Sequence, residues 1–171
     1  MTTGTVYNKI IALEKSMKDR EKCHYTESII YQMEQTVIYF KIKGAQFFNQ
    51  LKIGVTVDQF VALDAIYCNK DICQRDLSKL ILKDRSNTGR ILNILEENGF
   101  INREVETKGK RLVKKIYITE KGKKIIEDNQ EKLREAFGKV FDDVSDAEFT
   151  TLRETLEKLK ERLSKTTSIQ I

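Results

Sequence analysis

Arg85, Ser86, Asn87, Gly89, Arg90 and Asn93 fall within nine residues of the stretch KDRSNTGRILNILEENGF at 83–100. The chemistry open to such a set is hydrogen bonding to the edges of stacked bases. A guanidinium meets guanine O6 and N7 with two donors, and a carboxamide meets adenine N7 and N6 with a donor and an acceptor. Each good pair contributes roughly 1–3 kcal/mol of discrimination. A face turned only to solvent would carry long Glu and Lys chains, whereas this one is short, amide-bearing and hydroxyl-bearing, with arginines at its margins. Gly89 costs about 1 kcal/mol against alanine inside a helix, and its presence points to a close approach there by a groove or by a packed neighbour.

Other residues have the chemistry of phosphate binding. Gln74, Arg75, Lys83 and Ser86 lie at or near the starts of two predicted helices, where free amides and the positive dipole end favour anions. They would position a duplex without reading it. Lys108, Gly109, Lys110 and Arg111 form a basic tip, with Lys114 and Lys115 behind it. Such a tip can follow a backbone or insert a cation into a narrow minor groove, and its plain alternative is a solvated loop.

Positioning these groups takes a scaffold, and the scaffold is mostly helical. The 171 residues include no Pro, no Trp and only 8 Gly, with 40% hydrophobic and 33% charged residues. Thr88, Ile91, Leu92 and Leu95 recur at three- and four-residue steps, so the helix at 85–98 has an apolar face to set against a core. Start signals divide the rest of the chain. Thr56 with Gln59 and Ser145 with Glu148 have capping-box spacing, Asp71 with Gln74 is a close analogue, and Asp84 and Thr119 stand as N-caps. These signals predict helices near 5–20, 26–52, 57–68, 72–82, 85–98, 120–142 and 146–164. One stretch, 101–119, reads as two short strands crossing the basic tip. The order helix, turn, helix, hairpin is that of a winged helix-turn-helix.

The outer helices suggest association. Phe149, Leu152, Leu156, Leu159 and Leu163 step by three, four, three and four residues, a coiled-coil type seam that wants a partner. The helices at 26–52 and 120–142 are too apolar to project alone. Together they predict a homodimer layer, the alternative being packing within one subunit.

Charge agrees with an anionic partner. The formal charge is +5, but residues 69–125 carry fifteen Lys or Arg against eight Asp or Glu, so the middle third is locally +7. No apolar run approaches the roughly 18 residues of a membrane span, which points to a soluble cytoplasmic protein with no membrane partner. Cys23, Cys68 and Cys73 with His24 lack the ligand count and spacing of a metal site, and they read as small packed hydrophobes. With one His, no glycine-rich phosphate loop and no nucleophile motif, neither catalytic residues nor a cofactor are expected. A helical interaction protein would account for the seam but not for the basic middle third.

Five motifs in order and spacing resemble the MarR family of transcriptional regulators: VTVDQF at 55–60, DLSKL at 76–80, DRSN at 84–87, LEENGFI at 95–101 with Arg103, and ITEKG at 118–122. The similarity covers about residues 26–165. It implies a mainly α chain with a small β-hairpin wing, a winged helix-turn-helix on a helical dimerisation layer. The corresponding division is an N-terminal extension at 1–25, a dimerisation helix at 26–56, a DNA-binding lobe at 57–119 and dimerisation helices at 120–171. The resemblance further implies a homodimer on a pseudo-palindromic double-stranded DNA operator, with the 85–98 helix in the major groove. It also implies a repressor released by a small-molecule effector bound between the dimer layer and the lobe.

The chain departs from that pattern at three places. Lys110 and Arg111 lack the Asp of the family's wing pair, so only Arg111 carries over. The reactive cysteine of the peroxide-sensing branch corresponds to about Gln32, with Cys23 nine residues earlier, which disfavours a thiol-based redox switch as the alternative regulation. Residues 1–25 form an extra segment in which Val6, Ile10, Leu13 and Met17 suggest an amphipathic helix.

Overall fold

Side-chain caps written into the sequence set most of the element boundaries. The computed structural model describes residues 24–108 and 111–167, the side chains of 106–108 and 111–113 excepted. The helix expected at 5–20, Cys23, Gly109 and Lys110 lie outside the described residues, as do the side chains of Lys108 and Arg111. Among the described residues there are six α-helices and one antiparallel hairpin: α1 Ile29–Gln50, α2 Val57–Cys68, α3 Gln74–Leu80, α4 Arg85–Glu97, β1 Ile101–Lys108, β2 Arg111–Ile118, α5 Glu120–Gly138 and α6 Asp146–Thr166. None of the described helices is long and apolar enough to cross a membrane. The chain divides into two compact units, 1–46 and 47–171.

The described part of the first unit is a single 3-10 turn, Tyr25–Glu27, leading into α1. Buried Ser28 caps the helix, its hydroxyl accepting from the Tyr31 amide at 3.2 Å and donating to the Tyr25 carbonyl at 2.7 Å. The cap explains why the helix expected from 26 begins three residues later.

In the second unit the predicted caps hold α2, α4, α5 and α6. Thr56 and Gln59 exchange hydrogen bonds at 3.3 and 2.9 Å, a complete capping box. Asp84 accepts from the Asn87 amide at 2.8 Å, and Thr119 from the Gly122 amide at 3.1 Å. Ser145 and Glu148 close a second box.

The expectation at Asp71 is corrected. Cys73, not Asp71, is the N-cap of α3, with no side-chain capping bond. Asp71 sits in the left-handed region at φ 62°, and the next two residues run extended beside β2. The Ile116 amide donates to the Ile72 carbonyl at 3.0 Å, and Cys73 bridges to Lys115. A segment recruited by the sheet cannot also start a helix, so the helix expected over 72–82 is cut to Gln74–Leu80. It ends where Leu82 turns left-handed at φ 52°.

Thr88, Ile91, Leu92 and Leu95 of α4 are buried together with Leu63, Leu77, Ile101, Ile116 and Ile126, one core shared by α2, α3, α4, α5 and the base of the hairpin. The register pairs Ile101 with Ile118 and Lys108 with Arg111. Gly99, at φ 71°, turns the chain from α4 into β1. Buried Gly122 lets the first turn of α5 lie against the Phe100 carbonyl, where an added Cβ would be 2.2 Å from the oxygen.

Candidate nucleic-acid interface

Helix geometry decides which residues of α4 face outward. Successive residues turn by about 100°, and the buried strip of Thr88, Ile91, Leu92 and Leu95 therefore leaves Ser86, Arg90, Asn93 and Glu97 along the opposite side. All four are exposed. Arg85 and Asn87 flank this row. Glu97 was not among the expected site residues, yet it completes the outward row, an acidic group that could accept from cytosine N4.

Local bonds then separate the expected readers. Asn87 is tied to its own cap: its backbone and side-chain amides both donate to the Asp84 carboxylate. These donations, the backbone one foremost, hold the Asp84 carboxyl below its ordinary range. Asn93 accepts a hydrogen bond from Arg103 Nη2 at 2.9 Å. By contrast, the guanidinium groups of Arg85 and Arg90 make no hydrogen bond or ion pair among the described residues. Gly89 has a protein neighbour: Gln74 Nε2 would lie 3.3 Å from an added Cβ, and it donates to the Arg85 carbonyl at 3.1 Å. Gln74 thus braces the start of α4 from α3.

The basic residues are also unevenly engaged. Lys83 Nζ is 2.9 Å from Asp58 Oδ2, an exposed pair linking the turn before α4 to α2. Lys115 lies 3.6 Å from Asp71. Arg75 and Lys114 are exposed.

The wing is fastened to α4 by a contact that spacing alone does not reveal. Arg103 on β1 donates through Nε to Glu96 Oε2 at 2.9 Å and through Nη2 to both Glu96 and Asn93. The Arg103 hydrogen bond keeps the Glu96 carboxyl below its usual range despite partial burial. Arg103 was legible only as part of a motif; the complementary charges of Glu96 and Arg103 were the available signal.

Two further features bear on partners. Along α6, Phe149, Leu152, Leu156, Leu159 and Leu163 are 40–61% exposed, and no residue of this helix is buried. A cavity of about 540 Å³ opens on the lobe between the end of α2, β2 and the start of α5, floored by Ile66, Ile116 and Ile118 and rimmed by Tyr67, Lys70 and Lys123. Tyr67 donates to Glu127 at 3.1 Å, and this bond raises its phenol pKa. Cys68 is exposed and Cys73 half-buried with its thiol 3.0 Å from Asp76, so the expectation of packed hydrophobes fails at Cys68.

Comparison with known proteins agrees with this architecture. Residues 55–113 match the MarR family model. The uncharacterized HTH-type transcriptional regulator YybA of Bacillus subtilis (strain 168) is 37% identical over 73 residues, 43% of this chain and 48% of that protein. The match therefore spans about half the length of this curated relative. Among solved structures, the transcriptional regulator SlyA shares 25% identity at a TM-score of 0.70 over 81% of this chain and 95% of that one. The S. aureus MepR–DNA complex shares the fold at 22% identity and a TM-score of 0.69, covering 83% of this chain and 100% of that chain. The family match takes in the helix-turn-helix and most of the hairpin, and the likeness of fold extends well beyond it; residues 55–113 are thus similar to the MarR family of transcriptional regulators.

Proposed function

We propose that the protein is a sequence-specific double-stranded-DNA-binding regulator, acting as a homodimer on a pseudo-palindromic operator and released as a repressor by a small-molecule effector. The observation that carries this reading is the outward row of α4, with the uncommitted guanidinium of Arg90 at its centre and basic groups on either side. Arg90 is the base reader, and Arg85, Ser86, Arg75 and Lys83 meet phosphates. Lys108, Lys110, Arg111 and Lys114 of the wing serve the neighbouring groove. MepR, of the same fold, has been crystallised with DNA.

The exposed stripe of α6 supports dimerisation, because five large apolar side chains on one helix favour a second copy over water. Two recognition helices on one face of a duplex would then read half-sites roughly 34–36 Å apart. The lobe cavity has the apolar floor and polar rim of a ligand site, and an effector needs a coupling of only about 1–3 kcal/mol to change operator affinity 5–150-fold.

Footprinting and a mismatch panel test the reading. Arg90→Ala should relax preference at particular base pairs, and Lys83→Ala should weaken every sequence alike and lower the salt slope by about 1. Equal losses on all sequences for Arg90→Ala would move that residue from reading to positioning. Binding with no salt dependence would remove the DNA reading and favour a helical interaction protein.

A further inference from the structure

We propose that Arg103 is a specificity-positioning residue: by taking the carbonyl oxygen of Asn93 it makes Asn93 a hydrogen-bond donor toward the DNA, so that this side chain selects an acceptor on the base edge. The inference rests on the DNA-binding reading above and goes beyond it. Asn93 stands in the outward row of α4, one turn beyond Arg90. A carboxamide has a donor end and an acceptor end, and either could face a base. Arginine has five donors and no acceptor, so the end of Asn93 that meets Arg103 Nη2 at 2.9 Å must be the oxygen. The same guanidinium donates from Nε to Glu96 Oε2 at 2.9 Å, which fixes its plane from one turn of α4 away. The amide NH2 of Asn93 is thereby turned from the strand, toward whatever lies beyond the helix.

A donor in the major groove meets acceptors: guanine O6 and N7, thymine O4 or adenine N7. It has no partner in the exocyclic amine of cytosine. Arg103, which itself touches no base in this scheme, thus sets the polarity of a base contact on the recognition helix.

Selection from a randomised duplex library with the full chain tests this, alongside Asn93→Ala, Asn93→Asp and Arg103→Lys, with thermal melting of each variant to establish folding. Asn93→Ala should flatten the preference at one base pair per half-site by roughly three- to tenfold, the value of one net hydrogen bond. Asn93→Asp keeps a partner for Arg103 but offers only acceptors, and it should reverse the preference there toward a donor edge. Arg103→Lys keeps the charge beside Glu96 without the planar fork. It should weaken the preference at that base pair and at no other, and add nothing to Asn93→Ala. If the parent selects a motif and Asn93→Ala leaves every position unchanged, or Arg103→Lys acts at other positions, this inference is overturned and DNA reading stands. If the parent selects no motif, both fall.

Discussion

Replacing Gly122 by alanine should be among the most damaging single methyl additions in the lobe, while the same change at Gly138 should be harmless. At Gly122 the new Cβ would lie 2.2 Å from the Phe100 carbonyl oxygen and 2.8 Å from Ile118 Cγ1. Carbon–oxygen contacts ordinarily fall at about 3.3–3.6 Å, so the overlap exceeds an ångström and involves backbone, which yields only by moving. Phe100 cannot move freely. Its carbonyl accepts from the Thr119 amide at 3.0 Å, and the next residue, Ile101, is fully buried. Losing that bond costs on the order of 1 kcal/mol, and overpacking adds about 1–3 kcal/mol. The sum, about 2–4 kcal/mol, corresponds to a fall in Tm of roughly 5–15 °C for a chain of this size. At Gly138, with helical φ −54° and nothing within 4 Å of the added Cβ, alanine should instead stabilise by about 0.5–1 kcal/mol through a less flexible unfolded chain. Far-UV circular dichroism melts of both variants at one protein concentration decide the matter, since association would itself shift Tm. A Gly122→Ala protein that melts with the parent would refute the argument that α5 is pinned against the base of the wing.

Three other outcomes are expected. Changing Leu152 and Leu156 together to Glu places two charges on the exposed seam of α6 and should give monomer or aggregate by light scattering; a well-folded dimer would show the seam is elsewhere. Asp84 has its carboxyl held down by donations from Asn87, so its contribution to the helix is present above the ordinary carboxylate value of about 4 and is lost as pH falls through the lower folded value. Asp84→Ala should therefore melt below the parent at pH 7, the two curves converging in acid, and a gap persisting at low pH would exclude the cap as its cause. A variant with Cys23, Cys68 and Cys73 all changed to Ser should bind and release operator like the parent under oxidant; release of the parent alone would establish a thiol switch, to which the exposed Cys68 would be the first candidate.

What the sequence made legible is what is decided within a few residues. Thr56, Asp84, Thr119 and Ser145 cap as expected because the bond in each case closes over three positions. The burial of Thr88, Ile91, Leu92 and Leu95 followed from their period for the same reason. Asp71 had the same spacing and failed, because the decision there was made by β2, more than forty residues away, which drew Ile72 and Cys73 into an extended segment. The site divides along the same line. That α4 carries polar groups on one face was visible, whereas the hold of Arg103 on Asn93 and that of Lys83 on Asp58 depend on which elements become neighbours.

These long-range contacts also rank the residues in the proposed complex. Binding a polyanion exchanges intramolecular bonds for intermolecular ones, so each side chain contributes what remains after its present bonds are lost. To reach a base, the Asn87 side chain would have to give up its amide bond to Asp84 while the backbone cap bond stays, so it would contribute less to base reading than a side chain with no such bond to lose. Lys83 gives up an exposed ion pair, which contributes little in water, and it can exchange Asp58 for a phosphate at small cost. Arg90 gives up nothing among the described residues and stands at the centre of the outward row. Asn93 keeps its bond to Arg103 while offering its amide outward, so it can bind without breaking what holds it. Base reading should thus concentrate on Arg90 and Asn93, with the helix caps as their support.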